Sequence, residues 1–270
     1  VFPEGSVTRT NDRLHALLDG VSFIARTAAK RRRKAAADKK VVVHPVAIKY
    51  LFQGDLEAAV TPILEEIELR LSWQPLDELP LMDRITKVGR ALLSLKEIEY
   101  FGEAQPGRMR DRLAGLIDRL LIPLEEKWFG GEKTGPVVPR VKNLRMAIIP
   151  DMVKGNVDEA ERAMRWRDLA DIYLAQQVAC YPADYLSERA SVTRILETVE
   201  RFEEDLNDKA RPHGDLKAVI EVGEAIEVSP DRVRGEPTDP LMTAIGESLQ
   251  AMLDDLALES PIYEAESSNN

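Results

Sequence analysis

Apolar residues recur three and four positions apart through most of the middle of the chain. This spacing predicts amphipathic helices that pack against one another. The three clearest stripes are Ile85, Val88, Leu92 and Leu95; Leu113, Leu116, Leu120 and Leu124; and Val192, Ile195, Val199, Phe202 and Leu206. We therefore expect residues 60–212 to be helical, with Thr61 and Pro62 beginning the first helix. No internal repeat is evident.

Two further helices are predicted nearer the ends of the chain. The first lies within 11–34, and its expected apolar face is Leu17, Val21, Ile24 and Ala28. The second runs from Asp239 to Leu256, and its expected face is Met242, Ile245, Leu249 and Leu253. Beyond them, residues 260–270 are polar, so a disordered tail is expected.

Strand-like segments flank the helical region. Residues 41–48 form a nearly continuous apolar run, which is typical of a strand buried on both faces in a parallel sheet. Pro45 should mark a strand end or an irregularity, and 216–222 should form a second strand. The sequence thus predicts an α/β fold, with a small, mostly parallel, helix-covered sheet and a large all-helical insertion. The expected boundaries are 1–59, 60–212, 213–258 and 259–270.

Charge is unevenly distributed along the chain. Residues 1–50 hold 11 Lys and Arg against 4 Asp and Glu, a net charge of +7, while the other 220 residues carry −17. An anionic substrate or lipid surface would be drawn to the first segment, where 30–34 read Lys-Arg-Arg-Arg-Lys. The same cations also suit a plain helix C-terminus. The acidic remainder argues against nucleic acid as a partner.

The first nine residues hold the best candidate binding groups. An apolar pair runs into Pro3 and Gly5, with Glu4 between them and Arg9 four residues beyond the glycine. A carboxylate and a guanidinium on such a turn suit a small polyol phosphate, because one accepts from hydroxyls and the other binds phosphate oxygens. The alternative is a surface turn with a solvated ion pair.

Three segments in order resemble one known family. Phe2-Pro3-Glu4-Gly5 resembles the Phe-Pro-Glu-Gly motif of the glycerolipid acyltransferases, the 1-acylglycerol-3-phosphate acyltransferase family. Residues 18–25 look like the glycine and apolar helix that follow it, and 43–48 look like the later Val-x-Pro-Val strand. The resemblance implies a sheet of that family's type. It also implies substrate binding by Phe2, Pro3, Glu4, Gly5 and Arg9 (or Arg13), with Val43, Pro45 and Val46 in the site floor.

The resemblance also leads to an expected activity for this chain's parent protein. The resemblance implies transfer of a fatty acyl group from acyl-CoA or acyl carrier protein to glycerol 3-phosphate, a lysophospholipid or a similar acceptor in phospholipid biosynthesis. It also implies a cytoplasmic location with peripheral association to an anionic membrane.

The chain departs from the family pattern at two places. Val7 stands where the family has an arginine. The catalytic His-x4-Asp motif is missing, since Gly20, Lys49 and Ala218 stand five residues after the three histidines. We therefore expect an N-terminally truncated fragment that is inactive alone.

A rival interpretation places the function in the helical stretch. Residues 60–212 would then be a protein-interaction or regulatory module, or the chain would be a non-catalytic lipid-binding relative. The rest of the sequence offers no other chemistry: no cofactor motif and no zinc-like spacing are present. The single cysteine, Cys180, excludes an internal disulfide and is better explained as an inert thiol than as a nucleophile.

Overall fold

A computed structural model describes residues 1–5, 10–36, 39–131, 135–181, 184–186, 189–207, 211–232 and 238–264. The helices and strands, in chain order, are α1 Gly20–Ala35, β1 Val42–Val43, β2 Val46–Phe52, α2 Leu56–Ser72, α3 Leu81–Phe101, α4 Met109–Phe129, α5 Val137–Lys154, α6 Glu159–Ala179, α7 Val192–Asn207, β3 Leu216–Val222, β4 Ile226–Glu227 and α8 Pro240–Ala257. They form two compact units. Unit 1 comprises Val1–Ile63 and Glu188–Asn270, and unit 2 comprises Leu64–Ser187.

The predicted mostly parallel α/β sheet is wrong. Of the described residues, 61% are helical and 8% lie in strands, and the strands among them form two small antiparallel ribbons, β1 with β4 and β2 with β3. In the longer ribbon Val46 pairs with Val222 and Phe52 with Leu216. The apolar run at 41–48 suggested burial on both faces, but Val46, Ile48 and Tyr50 point to solvent. This continuous apolar run therefore belongs to a ribbon with one buried face and one exposed face.

The buried face of β2 packs on helices of unit 1. Ala47 belongs to a core that it shares with α8 and with Ala25 and Ala29 of α1, and α7 also packs against β2. A buried ion pair joins the helices, because Arg26 of α1 donates through Nε and Nη2 to the carboxylate of Asp239. Asp239 also accepts from Leu241 N as the N-cap of α8, so one carboxylate fixes both helices.

Several local predictions need correction in unit 1. The buried side of α1 is Ser22, Ala25, Arg26 and Ala29, whereas Ile24 and Ala28 of the predicted face are exposed. Helix α2 begins at Leu56, so Pro62 lies inside it. Residues 260–264 of the expected disordered tail make defined contacts, whereas 265–270 lie outside the described residues. Ser260 bonds to Thr193, and Tyr263 N donates to Ala190 O.

Other local predictions are confirmed. Helix α8 spans Pro240–Ala257 with Met242, Ile245, Leu249 and Leu253 buried. Ile195, Val199 and Phe202 lie on the buried side of α7, which begins at Val192. Pro45 does mark a strand end, since it separates β1 from β2 and its carbonyl accepts from Gly223 N.

Unit 2 is a helical array held by a repeated ion pair. Leu116, Leu121, Leu144, Ile148 and Ile172 are among the fully buried residues of its core. Near the end of one helix a buried glutamate accepts two hydrogen bonds from an arginine near the start of the next. We call this a Glu–Arg clamp. The three clamps are Glu68–Arg84, Glu97–Arg112 and Glu125–Arg140.

The clamps also hold loops between the helices. Glu68 Oε2 accepts from Leu76 N and Glu97 Oε2 from Gln105 N, both at 2.9 Å and both eight residues further along the chain. Hydrogen bonds from Arg112 hold the pKa of Glu97 below its usual value, so the carboxylate stays ionised although it is buried. These two clamps thus hold both a helix hairpin and the loop that connects its helices.

The clamps reveal an internal repeat that the apolar pattern hid. Glu97, Tyr100, Phe101, Gly102 and Arg112 match Glu125, Trp128, Phe129, Gly130 and Arg140 at a spacing of 28 residues. Gly102 and Gly130 each end their helix in the left-handed conformation, with φ of 85° and 71°. The same spacing relates Leu116 to Leu144. Residues 97–124 and 125–152 are therefore two copies of one helical unit.

Breaking one clamp should destabilise unit 2 strongly. Glu97→Ala leaves Arg112 buried without its carboxylate, and we expect the free energy of unfolding to fall by about 3–5 kcal/mol. Urea denaturation followed by tryptophan fluorescence measures this unit alone, since Trp73, Trp128 and Trp166 all lie in it.

The matched control for this variant is Glu99→Ala. Glu99 pairs with Lys96 at the surface, so its removal should change the free energy by only about 0–1 kcal/mol. Equal losses in the two variants would show that the clamps do not hold the array together.

Candidate functional site

The Phe2–Gly5 segment forms a turn docked on residues 15–18. Glu4 Oε1 accepts from His15 N at 2.7 Å, and Pro3 O accepts from Leu18 N at 2.7 Å. Gly5 has φ 68°, and a Cβ there would come within 2.6 Å of Leu18 Cδ1. Glycine is therefore required at this position for both conformation and space. Glu4 holds the turn together, a structural role that the sequence did not indicate.

The predicted site residues do not all converge. Phe2 is 84% exposed, Arg9 lies outside the described residues, and Arg13 is half-buried. Val43 pairs with Ile226 in the short ribbon, Pro45 is buried, and Val46 is exposed on β2. Within the described part of the chain, no hydrogen bond or ion pair joins Val43, Pro45 or Val46 to the turn. A floor beneath Glu4 formed by these three residues is thus unsupported.

A buried charge centre positions the segment that carries the turn. The carboxylate of Asp12 contacts Lys49 Nζ of β2 through one oxygen and Arg194 Nε of α7 through the other. The side-chain amide of Gln250 in α8 also holds this backbone. Its Oε1 accepts from Leu14 N, and its Nε2 donates to Asp12 O. Because Asp12 is buried with these partners, residues 10–18 are fixed against one strand and two helices. Asn11 adds two hydrogen bonds to the backbone of Tyr50.

The pKa of Lys49 is strongly shifted in this centre. Its side chain is fully buried, and burial lowers its pKa to about 8, against the opposing effect of Glu197. The cation Arg194 lowers the pKa further, whereas Asp254 raises it. The charged groups of this centre are of the kind that proton-transfer sites use. Because the Lys49 side chain is fully buried, we assign the centre a structural role. A lysine inside an apolar strand was the one sequence signal that could have revealed it.

Helix α1 presents a cationic surface beside this segment. Arg31, Arg32 and Lys34 are exposed, and within the described residues no ion pair or hydrogen bond to their side chains is recorded. Two to three turns earlier, Phe23 is 74% exposed and Ile24 55% exposed on the same helix. Arg33, in contrast, pairs with Asp231. Exposed apolar groups followed by exposed cations give the helix the character of a surface-binding element.

Comparison of the chain with protein-family models, curated proteins and solved structures gave no match. In the described residues, no helix has the length and apolarity that a membrane crossing needs. No group of three or more His, Cys, Asp or Glu in those same residues could hold a metal ion. Cys180 is half-buried and donates to Gln176 O.

The buried lysine should make the stability of unit 1 depend on pH. An unfolded lysine has a pKa near 10.4, roughly 2 units above that of Lys49 in the fold, so between pH 8 and 10 the unfolded chain binds more protons. Through Lys49, the free energy of unfolding should therefore rise with pH in this window. Lys49→Met should remove this rise.

The measurement is urea denaturation at several pH values, followed by circular dichroism for both units and by tryptophan fluorescence for unit 2. Lys40→Met is the control, because Lys40 is exposed and pairs with Glu227 at the surface. An identical pH dependence in wild type and Lys49→Met would contradict the assignment.

Proposed function

We propose that this chain supplies the acceptor-binding part of an acyltransferase that acts on glycerol phosphate or a lysophospholipid at an anionic membrane surface. The observation that carries the proposal is that the Glu4 turn and the cationic helix α1 belong to one folded unit. Glu4 holds residue 15, Asp12 holds the same segment in the core, and α1 begins at Gly20. The carboxylate and the cations are thereby kept in fixed relation.

The roles divide between these two elements. One oxygen of Glu4 is used by His15 N, and the other would accept a hydrogen bond from a hydroxyl of the acceptor. Arg31, Arg32 and Lys34 would contact anionic headgroups, and Phe23 and Ile24 would enter the interfacial region. Acyl-CoA or acyl carrier protein would be the donor. No residue of this chain is assigned as general base, because the His-x4-Asp pattern is missing from its sequence.

Vesicle sedimentation tests both roles together. Three vesicle types are compared: phosphatidylcholine alone, with added phosphatidylglycerol, and with added lysophosphatidic acid, which is anionic and also an acceptor. We expect binding to both anionic types, with a preference for lysophosphatidic acid. Replacing Arg31 and Lys34 by Glu should abolish both interactions, since each cation near a surface contributes about 1 kcal/mol.

Glu4→Gln separates acceptor recognition from charge attraction. Glutamine keeps an oxygen for His15 N, so the turn is retained while the charge is lost. The variant should lose the preference for lysophosphatidic acid and keep its binding to phosphatidylglycerol. Glu224→Gln, at an exposed site of the same unit, is the control. Equal binding to neutral vesicles, or an unchanged preference in Glu4→Gln, would contradict the proposal.

A second function is favoured by the repeat in unit 2. Arrays of helical hairpins present extended surfaces that commonly bind other proteins. Trp166 and Tyr173 are exposed seven residues apart on α6, and such aromatic residues are frequent in protein interfaces. A protein-interaction module would become the better account of the chain if it bound none of the vesicles.

A further inference from the structure

The outer edge of β3 is open. Gly223 N donates to Pro45 O and Gln53 N to Asp215 O, which fixes the hydrogen-bonding positions of the β2–β3 ribbon. The peptide groups of alternate β3 residues must then point away from β2. These residues are Leu216, Ala218, Ile220 and Val222. In the described part of the chain, no partner is recorded for their backbone groups.

The outer edge of β2, unlike that of β3, has side chains bonded to its backbone groups. Both peptide groups of Tyr50 are bonded by the side-chain amide of Asn11, and Phe52 N donates to Thr193 Oγ1. Side chains thus block the β2 edge at two positions. β3 has no proline and is regular over seven residues, and these are features of a strand that can accept another strand.

The sequence of β3 is complementary to itself in one antiparallel register. With a two-fold axis at Val219, Leu216 faces Val222 of a second copy and Ala218 faces its Ile220. The open backbone groups of all four residues then face the open backbone groups of the second copy. This pairing allows about eight backbone hydrogen bonds between the two strands. In the same register Lys217 faces Glu221 of the second copy, twice across the axis. Opposite charges facing each other stabilise a strand pair.

Charge selects this register over its neighbours. Moving the axis to Ala218 or to Ile220 keeps only about six of the eight hydrogen bonds and places Lys217 or Glu221 opposite Val219. Lys217 currently pairs with Glu259, but both side chains are about half exposed. Such a surface pair contributes little, so Lys217 can reorient toward a second copy.

We propose that two copies of this chain associate through β3, about a two-fold axis at Val219, to form a four-stranded antiparallel sheet. A seven-residue edge buries less than the roughly 800 Å² per partner of a standard interface. The association is therefore weak and concentration-dependent. This proposal is independent of the acyltransferase proposal.

Sedimentation velocity over a range of protein concentrations, with reductant present to keep Cys180 reduced, tests the pairing. Wild type should dimerise. Glu221→Lys and Lys217→Glu each put like charges opposite one another twice, and each should weaken dimerisation about tenfold or more. The double variant with both changes restores opposite charges and should return the affinity to within about threefold of wild type. Circular dichroism checks that all variants fold.

A backbone variant gives an independent result. Ala218→Pro removes an N–H that points to solvent in the monomer, so the β2–β3 ladder is kept while the edge is blocked. It should abolish dimerisation, and Ala218→Val, which keeps the N–H, should not. A monomer at every concentration overturns the proposal. So does a dimer that Ala218→Pro leaves intact, or one that the double charge variant fails to restore.

Discussion

Unit 1 depends on one buried carboxylate. Asp12 binds a cation from β2 and a cation from α7. The Asp12 and Lys49 side chains are withdrawn from water when the unit folds, and Arg194 is 26% exposed. Removing one member of such a group leaves a buried charge uncompensated, which costs several kcal/mol. The N-terminal segment is therefore held firmly although it has little regular secondary structure. This contact therefore positions the Glu4 turn and the start of α1. The function that we propose for these two elements depends on that positioning.

The sequence predicted the parts of the fold that depend on a single helix face. The stripes of α7 and α8 were found because large apolar residues repeat there at helical spacing. The face of α1 was wrong, since its buried side consists of alanines, a serine and Arg26, which carry no apolar signal. The repeat in unit 2 was missed for a related reason. The pairs that mark it are Glu97 with Arg112 and Glu125 with Arg140, each across one helix hairpin, and charged residues are not part of an apolar stripe.

The sheet and the site show a second limit of sequence reasoning. An apolar run is compatible with a strand buried on both faces or exposed on one, and only the pairing of β2 with β3 decides. Glu4 was identified as a site residue, but its contact with His15 N depends on a turn geometry that no spacing encodes. Asp12 and Arg194 are 182 residues apart, so their contact is a property of the fold.

The central claim is that Asp12 organises unit 1, and hydrogen–deuterium exchange of Asp12→Asn tests it most directly. Asparagine keeps the shape but removes the carboxylate that contacts the buried Lys49. The account predicts faster exchange in 10–18, in β2 and in α7, with unchanged protection in 81–129 of unit 2. Unchanged protection in the three unit 1 segments would contradict it, because the Asp12 contact would then be a consequence of the fold and not a condition for it.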